Sequence, residues 1–266
     1  MFSCRMIVRR IAAASVLLAM LLSLPAEASP WRDDRPVTVG HRGTTLLADE
    51  NTMAAFEIAR QHGVDIIECD PRMTRDGVYV IMHDADVSRT TDGAGKVRDM
   101  TLAEVKKLRT RSGHRVPTLR QVLSFARRHN MGVYLDVKRP PRDRAETLVQ
   151  DIEDTGMTDM VIVGCYHVLT CVWVEKLNPR ISICVSWPYP ALTLGEARLL
   201  GADAVGTLTE FATGPMIKLA HKYELRVITM PVNDKQMLLK LSEDGVDALQ
   251  SDDPRLLSPY GRSTPE

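Results

Sequence analysis

From Val37 onward the chain alternates short β-branched runs with longer segments in which apolar residues recur every three or four positions. A run of four to six mainly apolar residues bounded by turn signals reads as a strand covered on both faces, and the longer period reads as a helix. The strands predicted are Val37–Gly40, Asp65–Cys69, Val133–Asp136, Met160–Gly164, Ile181–Val185, Ala202–Val205, Arg226–Thr229 and Val246–Leu249. Helical patterns lie between them at Thr52–Arg60, Thr118–Arg128, Ala145–Asp154, Glu196–Leu200, Gly214–Lys222 and Asp234–Leu241, several opening on a Thr or Asp that can cap them. Gly63, Gly132, Gly156, Gly201 and Gly245 stand just before or at the strands that follow, as glycines that end helices do.

Strand followed by helix, repeated around eight strands in a chain of 266 residues, predicts an α/β fold, the (β/α)8 TIM barrel. A doubly wound open sheet would use fewer strands or add a second domain. One long departure interrupts the repeat after the second strand. From about Arg72 to Pro117 come a strand-like Val78–Met82, a Gly- and Thr-rich Arg89–Gly95 and a short helical pattern Thr101–Leu108. A stretch of that length without its own core is usually functional.

Charge narrows the function. Lys and Arg number 34 and Asp and Glu 34, so no net field draws the chain to nucleic acid or anionic membrane. An anionic substrate must then be held by a few local cations or a metal. The amino terminus differs in kind: Arg5, Arg9 and Arg10 precede an apolar run from Ile11 to Leu24, and Ala26-Glu27-Ala28 supplies a small-x-small cleavage pattern. Residues 1–28 therefore read as a secretory signal peptide and 29–266 as the mature domain, periplasmic or secreted, with no stable membrane anchor after cleavage. The apolar run is shorter than the roughly 20 residues that cross a bilayer. The mature chain keeps Cys69, Cys165, Cys171 and Cys184, which allow three pairings among which the sequence does not choose.

Barrel enzymes place their chemistry at the carboxyl ends of the strands. Those ends carry His41-Arg42-Gly43, Glu68-Cys69-Asp70, His83-Asp84 after the extra strand, and Asp136-Val137-Lys138. Residues two apart on a strand share a face, so Glu68 and Asp70 point together while Cys69 points away, and Asp136 goes with Lys138. Carboxylates aimed into one barrel mouth need a cation, and an all-oxygen set from Glu68, Asp70 and Asp136 suits Ca²⁺ or Mg²⁺ better than zinc. Plainer roles compete. His41 alone could be a structural histidine, His83-Asp84 a turn, and in Glu50-Asn51-Thr52 either Asn51 or Thr52 can cap the next helix while Glu50 complements its dipole.

The ordered set of motifs resembles the glycerophosphodiester phosphodiesterase family. His41-Arg42-Gly43, Glu50-Asn51-Thr52, Glu68-Cys69-Asp70 and His83-Asp84 stand in that family's order and spacing. They are followed by Arg89-Thr90-Thr91 with Gly93 and Gly95, by Pro117-Thr118-Leu119 and by Val232-Asn233, and the similarity runs from about Val37 to Leu257. The resemblance implies a TIM barrel with a small inserted subdomain at about 84–117, one divalent metal, and hydrolysis of small glycerophosphodiesters to glycerol 3-phosphate and an alcohol. Carried over by position, it implies Glu68, Asp70 and Asp136 as metal ligands, His41 and His83 as the acid/base pair, and Arg42 and Lys138 as phosphate contacts. It also implies that His41 is the first base and His83 the first acid.

Two positions depart from the family pattern. Asp136 stands where the third ligand is usually Glu, and Thr229-Met230-Pro231 stands where an aromatic residue usually precedes Val232-Asn233, so Trp187 is the candidate aromatic wall for substrate. Ca²⁺ is the preferred ion for an exported enzyme and Mg²⁺ the alternative. The Asp136-x-Lys138 pattern is also similar to secreted sphingomyelinase D-like lipid phosphodiesterases, although no apolar or basic cluster stands out in the loops. A third reading is a non-catalytic exported barrel binding metal or a phosphorylated ligand, against which the two histidines argue. Headgroup choice would fall to His167, Trp187, Tyr189, Glu210 and Met230, and their spacing leaves it open.

Overall fold

The computed structural model describes residues 29–138, 142–188 and 192–262. The expected signal segment, Cys4 and Tyr189 lie outside the described residues. In chain order the elements begin with β1 (Val37–Gly40), α1 (Met53–Gln61) and β2 (Ile66–Cys69). A hairpin of β3 (Pro71–Met73) and β4 (Tyr79–Ile81) follows, then α2 (Leu102–Val105) and α3 (Leu119–Arg128). Next come β5 (Gly132–Val137), α4 (Arg142–Asp154), β6 (Val161–Cys165), α5 (Val168–Leu177), β7 (Ser182–Ser186) and α6 (Leu194–Leu199). The chain continues with β8 (Ala204–Thr207), α7 (Gly214–Lys222), β9 (Arg226–Thr229), α8 (Lys235–Glu243), β10 (Ala248–Ser251) and α9 (Pro254–Leu257).

Eight parallel strands close a barrel in the order β1-β10-β9-β8-β7-β6-β5-β2, with helices in the connections. The expected barrel is thus the fold. Alternation along the strands separates two cores. Val37, Val39, Ile66, Tyr134, Ile162, Cys184, Ala204, Ile228 and Ala248 fill the lumen above Trp31, a cluster distinct from the outer one. Trp31 plugs the amino-terminal end, its ring beneath the guanidinium of Arg226 at 5.2 Å. Ile67, Cys69, Val133 and Leu135 face outward and pack with Phe56, Leu119 and Leu123 from the helices. Each fully buried side chain of this kind contributes roughly 1.5–3 kcal/mol, so the barrel wall is the rigid frame on which strand-end residues are held.

Helix starts follow local chemistry. Thr118 and Thr193 open α3 and α6 with reciprocal capping boxes to Gln121 and Glu196, and Thr52 caps α1 by accepting from the amide of Ala55. Gly63, Gly156, Gly201 and Gly245 have positive φ as expected, but Gly132 does not. There Asn130 takes the left-handed conformation (φ 52°), and Gly132 opens β5.

The segment between β2 and β5 differs from expectation in having a core of its own. Val80, Met82, Val87, Val97, Val105 and Val116 form a separate buried cluster. The hairpin partner β3 went unpredicted because three residues beginning with Pro71 carry no readable alternation. Cys69, Cys165, Cys171 and Cys184 are free, buried thiols. Cys69 faces the helices and Cys184 the lumen, which keeps these two apart. Among the described residues no helix is long and apolar enough to cross a membrane.

Candidate active site

Strand register assembles the site. β1 pairs Gly40 with Ser251 of β10 and with Ile67 of β2, so His41, one residue on, is level with Asp252 on one side and Glu68 on the other. β2 pairs Glu68 with Tyr134 and Cys69 with Leu135 of β5, so Asp70 is level with Asp136. Hydrogen-bond geometry agrees with this levelling. His41 Nδ1 lies 2.7 Å from Asp252 Oδ1 and its Nε2 lies 4.0 Å from Glu68 Oε2.

Glu68, Asp70 and Asp136 bring one oxygen each within 4.8 Å of one another. Glu68 and Asp70 are buried at the lip of the lumen. Burial first, and then the charges of Asp70 and Asp136, push the Glu68 carboxyl well above its usual range. Lys138 Nζ is the cation the chain itself supplies, hydrogen-bonded to Asp136 Oδ2 and 3.1 Å from Asp70 Oδ1. Burial would lower the Lys138 ammonium, but Asp136 and Asp70 outweigh it and hold it above the ordinary lysine value.

Arg42 adopts φ +50°, a conformation costly for a residue with a side chain, of order 1–3 kcal/mol. It turns the Arg42 amide onto Glu68 Oε2 at 2.6 Å. Gly43 completes the bend at φ +76°, where a Cβ would meet the Ala55 carbonyl carbon at 2.7 Å. The guanidinium of Arg42 donates to Glu50 Oε1 (2.8 Å), and its Nε approaches Asp70 Oδ2 at 3.6 Å. Glu50 is thus tied to arginines rather than left to the helix alone. Arg89 donates to both its oxygens at 3.0 and 2.7 Å, and these contacts with Arg42 hold its carboxyl low against the burial that would raise it. Asn51, at φ +58°, also leaves the cap to Thr52 and donates instead to Asp70 Oδ2 at 2.9 Å.

Both histidines are anchored through Nδ1, which leaves Nε2 of each without a hydrogen bond among the described residues. His83 Nδ1 lies 2.7 Å from Asp84 Oδ1, and Asp84 Oδ2 is bonded by Arg89. The Arg89 hydrogen bond, against a smaller burial effect and with help from His83, lowers the Asp84 carboxyl to about 2. Asp252 has a matching role at His41. It accepts also from Thr45 Oγ1 (2.8 Å) and Asn233 Nδ2 (2.7 Å), bonds that overcome burial and keep it well below the usual carboxylate range.

Trp187 stands after β7, the strand diametrically opposite β1 in the ring. Its indole Nε1 donates to Leu192 O (2.9 Å) and its ring meets Phe211 edge-on at 6.4 Å, so ring surface is what it offers. The loops here differ from the sequence reading. Tyr166 and Leu169 after β6 and Leu208 and Phe211 after β8 are exposed, as is Leu46 after β1. Scattered singly along the chain, these residues are gathered onto one rim by the barrel.

The model of the Glycerophosphoryl diester phosphodiesterase family matches residues 41–256. The chain belongs to this family. It is 29% identical over 241 residues to a glycerophosphodiester phosphodiesterase of Caldanaerobacter subterraneus subsp. tengcongensis, covering 84% of this chain and 96% of that one. It is 30% identical to a glycerophosphodiester phosphodiesterase of Bacillus subtilis, covering 73% of each chain. The structure of an Oleispira antarctica phosphodiesterase in complex with the product sn-glycerol-3-phosphate is similar at a TM-score of 0.76 and 25% identity, over 85% of this chain and 97% of that one.

For this family member the donor set fits a hard divalent ion. Asp70 Oδ1 is buried without a hydrogen-bond partner, since Lys138 approaches it outside hydrogen-bond geometry. Three carboxylates around one point with no Cys or His ligand among them favour an oxygen-seeking ion. Asp84 is readable as the neighbour of His83, but Asp252 as the partner of His41, and Thr45 and Asn233 as the partners of Asp252, are not readable from local sequence. The available signal for Asp252 was its place just beyond the last strand, next to the first strand in any closed barrel.

Proposed function

We propose that this chain is a divalent-metal-dependent phosphodiesterase that hydrolyses glycerophosphodiesters to sn-glycerol 3-phosphate and an alcohol. The observation that carries the reading is the three-carboxylate cluster with His41 beside it, held by Asp252 through Nδ1. The names of the relatives support the same substrate class.

Glu68, Asp70 and Asp136 would hold the ion, which supplies positive charge to the phosphoryl oxygens as negative charge grows on them. Arg42 and Lys138 add fixed positive charge at the same place. His41 Nε2 accepts the proton of the glycerol 2-hydroxyl as that oxygen bonds to phosphorus. The bond from phosphorus to the alcohol breaks, and His83 gives its proton to the leaving oxygen. Water then opens the cyclic phosphate: His83 takes the water proton, and His41 returns its proton to the 2-oxygen. One water is consumed and both histidines are restored. Histidine suits this exchange because its ordinary pKa, about 6.5, lies near neutral pH.

Residues 1–28 support export, and the mature chain would begin at Ser29; amino-terminal sequencing of the exported protein checks the site. The exposed rim of Tyr166, Leu169, Leu208 and Phe211 favours a second reading, in which the substrate keeps an acyl chain. One assay separates the two. Metal-stripped protein is given Ca²⁺ or Mg²⁺ and offered water-soluble glycerophosphodiesters, lysophosphatidylcholine and sphingomyelin. Metal-dependent glycerol 3-phosphate from the soluble diesters is expected, and turnover of the lipids alone would replace this reading with the second.

A further inference from the structure

Beside the candidate site lies a second concavity that the chemistry above does not use. A cavity of about 640 Å³ opens between the β1–α1 loop and the segment inserted after β4. Its two sides are fixed to each other: Asp49 Oδ2 accepts from the Ser112 amide at 2.8 Å, and Glu50 binds Arg89. It adjoins the His83 side of the mouth. A smaller pocket that includes His83 shares Glu50, Thr90 and Thr110 with it.

The lining is selective. It carries Arg89, Arg109 and Arg111 against Asp49, Glu50 and Asp92, so formal charges balance, and hydroxyls from Ser88, Thr90, Thr91 and Thr110 stand between them. Most of these groups are already engaged. Arg109 is bonded to the carbonyls of Lys106, Lys107 and Leu108, and Thr91 Oγ1 to Val87 O. Among the described residues the Arg111 guanidinium and the Thr90 hydroxyl make no hydrogen bond or ion pair, and both line the cavity. No aromatic ring lines it. A quaternary ammonium is normally held by aromatic faces, and an acyl chain by apolar walls, and this cavity has neither. The charged groups that balance one another are spent on protein partners, which leaves a ligand the Arg111 guanidinium and the Thr90 hydroxyl, groups that the oxygens of several hydroxyls can meet.

We propose that this cavity is the subsite for the departing alcohol and that it selects a polyhydric alcohol, a cyclitol or sugar, through Arg111 and Thr90. The inference rests on the phosphodiesterase reading and deepens it, since His83 is the group that protonates that alcohol.

Steady-state kinetics of the metal-loaded enzyme on glycerophosphoinositol and glycerophosphocholine test it, with Arg111→Ala and Thr90→Val alongside. Higher kcat/KM for the inositol diester is expected. Arg111→Ala should lower kcat/KM for that diester about tenfold and Thr90→Val about threefold, each the loss of a single hydrogen bond. Both variants should hydrolyse the choline diester within about twofold of the parent, because choline has no matching hydroxyls. Choline preferred in the parent, or equal losses on both diesters, overturns the inference while the phosphodiesterase reading stands. No turnover of either diester by the parent would overturn both.

Discussion

Among single residues, Asp252 holds His41 through Nδ1 at 2.7 Å. A carboxylate on Nδ1 fixes the ring's orientation and tautomer and stabilises the imidazolium that forms when Nε2 takes a proton. An amide of the same shape keeps neither the charge nor the tautomer. Asp252→Asn is therefore expected to lower kcat on the order of a hundredfold, the scale of positioned acid–base catalysis, with metal affinity unchanged. Rate against pH, together with calorimetric titration of the metal, checks it; an unchanged rate would remove Asp252 from the mechanism. His41, Glu68, Asp70, His83, Asp136 and Lys138 were legible in the sequence because strand parity and strand-end position are local properties. Asp252 was not, because its partner is 211 positions away and only barrel closure brings the two level. The partners of Glu50 were hidden for a related reason. Its arginine partners come from the turn after β1 and from the inserted segment, whereas the helix dipole was the only partner visible nearby.

At the scale of elements, the β1–α1 connection carries the site's strain. Arg42 and Asn51 both have positive φ, and both aim groups at the carboxylate cluster, the Arg42 amide at Glu68 and the Asn51 side chain at Asp70. Gly43 makes the bend possible. Gly43→Ala is expected to destabilise the fold by about 1–3 kcal/mol, from the left-handed backbone and the collision with Ala55 together. It should also lower activity more than stability, because displacement of the loop moves the Arg42 amide off Glu68. Urea unfolding and kcat/KM on the same preparation separate the two effects. Most barrel strands are readable because they are β-branched runs that lead into helix caps; β10, Ala-Leu-Gln-Ser, has no β-branched residue and begins two residues after the predicted start at Val246. The β3–β4 hairpin and the small valine core of the inserted segment were not, since three-residue strands and scattered valines have no period to detect.

For the whole molecule, the segment before β1 and the segment after α9 are joined at the bottom of the barrel by Asp65. Arg35 binds both its oxygens at 2.7 and 2.8 Å, Arg262 adds a bond at 3.0 Å, and Thr38 contributes its amide and hydroxyl. Removing that buried carboxylate leaves two guanidinium groups without their partner, so Asp65→Ala should cost about 3 kcal/mol, read as a lower urea midpoint. Asp65 and Asp252 are held below the ordinary carboxylate value against burial, and Asp84 is lowered to about 2 mainly by Arg89. Such groups bind fewer protons folded than unfolded. Their stabilisation is complete above the unfolded value of about 4 and is lost as pH falls through it toward 2. The urea midpoint should therefore drop steeply below about pH 4, and Asp65→Asn should flatten that drop.

In the proposed reaction two histidines transfer protons beside a metal held by Glu68, Asp70 and Asp136. The most direct test is to measure glycerol 3-phosphate release and metal binding together in His41→Ala, His83→Ala and Asp70→Asn. Each histidine variant is expected to bind the ion as the parent does and to lose turnover, whereas Asp70→Asn should lose both. Substantial turnover in either histidine variant would remove that histidine from the proton transfers, and metal binding undiminished in Asp70→Asn would remove Asp70 from the ion's ligands.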